Sequence, residues 1–160
     1  MSDDQIKSAL KNAITETLEN LAFIQLIEIE GPRLSDLGTD FLQDMLSVYL
    51  PMKHEYGILV MSASGGILKE TACNIFALDP GAEPGEDIIK DTLAEILNTV
   101  SGQFMRLITP GDQFYELGLP VIGAFNLNGS NGAEVKCAFE TESGDRLLIS
   151  YIKISDSSNQ

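Results

Sequence analysis

Between Gly85 and Ile108 the sequence GEDIIKDTLAEILNTVSGQFMRLI repeats its apolar residues at three- and four-residue steps. Ile89, Leu93, Ile96, Leu97, Val100, Phe104, Leu107 and Ile108 then share one stripe at about 100° per residue, which predicts a long amphipathic helix. Its opposite face carries Asp91, Glu95, Asn98 and Gly102 in a nearly straight row. Asp3 to Ala22 shows the same period, with Ile6, Leu10, Ala13, Ile14, Leu18 and Leu21 on one face and Asp3 or Asp4 able to cap the start. Phe23 to Glu30 alternates over its last residues and predicts a strand, stopped by Gly31-Pro32 and followed by a loop to about Asp40. Phe41 to Met52 holds a second apolar run. Tyr56 to Ala63 predicts a third, buried strand, hairpin-linked through Lys53 to Glu55, before Ser64-Gly65-Gly66 turns the chain.

Ile67 to Leu78 fits either strand or helix, and the spacing of Leu68, Ala72, Ile75 and Phe76 favours a short helix. Thr109-Pro110-Gly111-Asp112 ends the long helix sharply. The last third is β-rich. Leu119 to Leu127 predicts an edge-like strand because of Pro120, and Asn128 to Gly132 a turn. Val135 to Thr141 and Arg146 to Ile154 flank a hairpin loop at Glu142 to Asp145. The resulting order is helix, three strands, helix, long helix, three strands, an α+β arrangement of two related halves. Shifting the chain by 79 residues sets Asn12, Glu16, Glu19 and Phe23 under Asp91, Glu95, Asn98 and Gly102, with Ile14 and Leu18 under Leu93 and Leu97. The strands align at no single offset, so the repeat is one of architecture.

With 160 residues and 44% apolar content, the chain is expected to form one domain over residues 1–155, followed by a polar tail at 156–160. The net charge of −14 argues against nucleic acid and anionic membrane surfaces, whose binding rests on basic residues. No run of 18 apolar residues predicts a membrane span, and the acidic start lacks the order of a signal peptide. Cys73 and Cys137 lie singly within apolar runs and read as small buried hydrophobes of a cytoplasmic protein, although their number alone leaves one disulfide open.

Few side chains offer chemistry. His54 is the only histidine and falls in the expected hairpin turn, so triads and multi-histidine metal sites are hard to build. There is no phosphate loop and no G-x-S-x-G, and Glu83, Glu86 and Asp87 lack calcium-loop spacing; they suit a helix N-terminus instead. The polar row remains. A solvated helix face is the ordinary account of such a row, but three details go beyond it. Gly102 in a helix interior costs about 1 kcal/mol against alanine, which invites a reason such as close approach of another backbone. Ala94 and Ser101 keep the surface beside the row low. Asn98 carries an amide that both donates and accepts, which suits orienting a water molecule.

Asp91-x-x-x-Glu95-x-x-Asn98, followed by Gly102 and by Pro120 in LGLP, resembles the signature of the CheC/CheX/FliY phosphatases, which act on the phosphorylated chemotaxis response regulator CheY. The likeness extends over the predicted order of elements. It implies a CheC-like fold: two pseudo-symmetric halves, each a helix plus three strands, forming a six-stranded, mainly antiparallel sheet packed against long helices. In the first-half row a glutamate, Glu19, replaces the asparagine and Phe23 replaces the glycine. An added carboxylate repels an acyl phosphate and cannot donate a hydrogen bond. One working site is therefore expected, as in the CheX type.

The resemblance implies hydrolysis of the aspartyl phosphate of a CheY-like receiver, with Glu95 and Asn98 as the catalytic pair. Asn98 would hold the water in line, and Glu95 would dock to the receiver's active-site lysine. Asp91, Gly102 and Pro120 would serve partner binding. No metal or cofactor of the chain's own is implied, Mg²⁺ belonging to the receiver, and a homodimer formed by strand exchange is implied as well. Two other readings stand beside it: a non-catalytic interaction module of the flagellar-switch and chemotaxis machinery on the same fold, and an unrelated acidic scaffold.

Overall fold

A computed structural model of the protein describes residues 1–37, 39–53, 57–125 and 134–154. Helix α1, Asp3–Ala22, buries Ile6, Leu10, Ala13, Ile14 and Leu18, as its periodicity requires. Its cap is Ser2 rather than Asp3 or Asp4. Ser2 Oγ accepts from the Gln5 backbone N–H at 3.2 Å and Gln5 Oε1 accepts from the Ser2 N–H at 2.9 Å, a reciprocal box that an aspartate at position 3 cannot form with Gln5. The helix stops at Phe23, which adopts left-handed geometry at φ 56° and returns its N–H to the Glu19 carbonyl. Because Phe23 is spent on that cap, the strand expected from Phe23 to Glu30 shrinks to β1, Ile27–Ile29.

The loop expected to about Asp40 instead holds a short helix α2, Pro32–Ser35, and a 3₁₀ turn at Thr39–Leu42. Pro32 can open α2 because a first-turn N–H has no helical partner to lose. These elements lead into β2, Met45–Met52, and β3, Gly57–Ser64. The expected turn at Ser64 to Gly66 is instead the opening of helix α3, Gly65–Ile75. A Cβ on Gly66 would run into the Asp145 carboxylate, so glycine lets that acid approach the first turn of the helix, where negative charge is favoured. Helix α4, Glu86–Ile108, follows. The chain closes with β4, Val121–Ile122, β5, Glu134–Glu140, and β6, Arg146–Ile152. The strand expected at Leu119 to Leu127 is thus cut to two residues among those described. His54, Tyr56, most of the Lys53–Glu55 link, the Asn128–Gly132 turn and the 156–160 tail lie outside the described residues.

All named strand pairs are antiparallel, in the order β1-β5-β6-β3-β2-β4. Exchanging the halves, β1 for β4, β2 for β5 and β3 for β6, turns that order into its own reverse. The fold is therefore α+β with two pseudo-symmetric halves, each lending its first strand to the other half's edge. One face of the sheet carries α1 and α4, with α3 in contact with both. Leu50, Leu59, Met61, Phe139, Leu147 and Ile149 point into that layer. On the other face Ile29, Phe41 and Ala138 form a smaller cluster, over which Arg146 stacks on Phe41 at 5.0 Å.

Both cysteines are free. Cys137 is buried, which pushes its thiol up to about 11, whereas Cys73 is half-buried rather than a full member of the core.

Candidate functional site

Helix α4 positions the candidate site by burying its other side. Leu93, Ile96, Leu97, Val100 and Phe104 are fully buried, and Phe104 packs against Tyr151 with ring centroids 5.1 Å apart. Thr92 and Ser101, buried too, donate their hydroxyls to the Ile88 and Leu97 carbonyls one turn back, so neither leaves a polar group unpaired. Glu86 and Asp87 sit in the first turn, as expected of helix-N-terminal acids. Glu86 pairs with Lys90 at 2.8 Å, which lowers the carboxyl and raises the ammonium from their ordinary values. Leu107 departs from the pattern. It is 53% exposed, while Met105 and Ile108 of the same turn keep contact with the core on the other side of the helix.

Asp91, Glu95 and Asn98 are exposed and Gly102 is half-buried, all within a narrow sector of the helix surface. Glu95 Oε1 accepts only a long 3.4 Å bond from Thr99 Oγ1, and neither Asp91 nor Asn98 has a side-chain partner among the described residues. The carboxylate and amide stand about 4.5 Å apart along the axis, both free to meet groups from outside. A Cβ built on Gly102 would meet nothing within 4 Å. No backbone among the described residues accounts for the glycine, and the gap opens outward. Ser101, expected beside the open row, is instead covered, and Ala94 is half-buried.

Pro120 is half-buried and lies off the row, immediately before β4, which contacts α4 as well as pairing with β2. Two residues not singled out by their pattern matter here. Gly118 donates its N–H to the Pro51 carbonyl at 2.7 Å, and a Cβ on it would fall 2.6 Å from that oxygen. Only glycine lets the segment before Pro120 lie so close to β2. The same contact explains Pro51 within a strand, since its nitrogen faces Gly118 rather than the β3 ladder. The other is Arg106, exposed and one turn beyond Gly102. Its spacing of four from Gly102 was legible in the sequence, but its lack of a partner was not.

The row lines neither of two larger hollows. One of about 460 Å³ lies between α3 and the α1 C-terminus, beside Cys73 and Asn74, and one of about 470 Å³ is bordered by Glu19, Phe23 and Glu142. The open helix surface suits a folded partner better than a small molecule, which calls for a concave pocket. No group of three or more His, Cys, Asp or Glu among the described residues is placed to hold a metal ion, and no helix there is long and apolar enough to cross a membrane.

No protein-family model and no curated protein matches the sequence. Solved structures do. The chemotaxis protein CheX of Vibrio vulnificus matches at a TM-score of 0.72 and 15% identity, covering 95% of this chain and 98% of its own. A chain from the CheX–CheY–BeF3–Mg²⁺ complex of Borrelia burgdorferi matches at 0.68 and 12%, covering 92% and 97%. FliY of Thermotoga maritima matches at 0.59 and 13%, covering 96% and 90%. At such identities the likeness is one of fold. The chain has the fold of CheX and CheC-like chemotaxis proteins.

Proposed function

We propose that this protein is a phosphatase for the aspartyl phosphate of a CheY-like receiver domain, acting in chemotaxis signalling. The observation that carries the reading is the outward-facing Glu95–Asn98 pair, without a strong partner of its own, on the exposed face of α4 in a CheX-like fold. The chain would lay α4 across the phosphorylation site. The Asn98 amide accepts and donates hydrogen bonds and can hold a water in line with phosphorus. The water oxygen bonds to phosphorus as the bond to the aspartyl oxygen breaks, giving free carboxylate and inorganic phosphate. Mg²⁺ held by the receiver would offset the developing charge, so this chain's own residues contribute position. Glu95 pairs with the receiver's lysine and sets the register. Asp91, Gly102 and Pro120 shape the docking surface around the pair. A cytoplasmic location and a homodimer belong to the same reading.

In an assay following loss of phosphate from a receiver, Asn98→Ala and Glu95→Ala are each expected to slow hydrolysis about a hundredfold, the scale of a lost positioning contact. Wild-type rates in both variants would rule the pair out. The non-catalytic alternative has weaker support, since a module that only binds has no need for the exposed Glu95–Asn98 pair. It predicts binding of the receiver with no hydrolysis above the receiver's own.

A further inference from the structure

Arg106 continues the row of Asp91, Glu95, Asn98 and Gly102 by one more turn. It stands about 12 Å along the axis from Asn98 and within about 80° of it around the helix. Lys11, Arg33, Lys53, Lys69, Lys90 and Lys153 each hold a carboxylate of this chain. Arg106 holds none among the described residues; Lys7, Lys136 and Arg146 hold none either, but they lie on other elements, and Arg146 is engaged by two carbonyls and the Phe41 ring. Between it and Asn98 the surface opens at Gly102.

The charge on this surface poses a difficulty for any acidic partner. Asp91 and Glu95 are carboxylates, and the chain carries −14 overall. A partner that holds Mg²⁺ and a phosphoryl group does so with carboxylates of its own, because Mg²⁺ takes oxygen ligands. Two such surfaces repel at contact distance unless a cation lies between them. Arginine is suited to that place: its planar fork takes a carboxylate through two parallel hydrogen bonds and never loses its charge.

We infer that Arg106 is a docking residue, binding a carboxylate on the rim of the partner's phosphorylation site and offsetting the repulsion from Asp91 and Glu95. This rests on the receiver reading of the same helix face. With its backbone about 12 Å along the axis from that of Asn98, Arg106 faces the rim rather than the reacting phosphorus. It therefore acts on association and register, while Asn98 acts on the chemistry. Its place in the last turn of α4 also suits the helix dipole, a purely structural role that the test must separate.

The experiment titrates the wild-type protein, Arg106→Lys, Arg106→Gln and Arg106→Glu with a beryllofluoride-activated, Mg²⁺-loaded CheY-like receiver at low and high salt, and measures thermal stability and dephosphorylation in parallel. Arg106→Gln is expected to weaken binding about tenfold at low salt, Arg106→Glu more, and Arg106→Lys less, with the differences shrinking at high salt. Unchanged affinity in the Gln and Glu variants at low salt overturns the inference while leaving the phosphatase reading intact. A loss that persists at high salt and follows thermal stability also overturns it, by assigning Arg106 to the helix alone. Charge-dependent binding without hydrolysis by the wild type supports Arg106 and sinks the phosphatase. Failure of the wild type to bind the receiver sinks both.

Discussion

Gly102 shows how much one position can hold. A glycine in a helix interior costs about 1 kcal/mol relative to alanine, and nothing among the described residues stands where its Cβ would go. Gly102→Ala is therefore expected to raise stability by about 1 kcal/mol in urea denaturation. A loss of stability would mean the helix needs glycine for its own packing. Should a partner backbone settle there, the same substitution lowers receiver dephosphorylation even as it steadies the fold. Asp91, Glu95 and Asn98 could be placed on one line from spacing alone, because rotation per residue in a helix is a local property. Arg106 and Gly118 could not be weighed in that way. One matters through a missing ion-pair partner and the other through a carbonyl of residue 51, and both facts involve chain far from the residue itself.

Two helices of similar inner pattern diverge where a partner would touch them. Helix α1 ends at Ala22 with Phe23 as a left-handed cap, 80% exposed, while α4 runs through the corresponding position and on to Ile108. The degenerate row Asn12, Glu16, Glu19 and Phe23 thus lacks both an amide at the position matching Asn98 and the continuing helix. The strands differ as well. β4 is an edge of two residues, so the outer side of β2 at Met45 and Leu46 has no strand partner among the described residues. Leu119 is 83% exposed, and Val121 and Ile122 are 41% and 39% exposed along the same edge. Unpaired backbone beside exposed apolar side chains is a template for another strand. Light scattering of the full chain is expected to give a mass near twice 17.4 kDa, and a monomer mass at high micromolar concentration would remove the proposed homodimer.

The strand order has a consequence for the molecule as a unit. Among the described residues β1 pairs only with β5 and β4 only with β2, and the centre of the sheet is the β3–β6 pair between halves. Neither half can complete its own sheet, since each edge strand lies on the other half. Fragments 1–84 and 85–160 made separately are therefore expected to lack a cooperative thermal transition by circular dichroism, and to regain one on mixing. A sharp transition in either fragment alone would contradict that interdependence.

The sequence by itself determined the main strands and helices in their order, without α2 or the 3₁₀ turn, both long helices to within one residue at each end, and the polar row on α4. These follow from periodicity, which reports a helix's two faces wherever the helix lies. Tertiary structure decided the rest. Which strands neighbour one another, why β1 and β4 are so short, that Ser101 is covered, that Leu107 is exposed and that Gly102 opens outward all depend on what stands opposite each residue. The physical reason is that burial and strand pairing are relations between distant stretches of chain, whereas helical phase is set by a residue and its near neighbours.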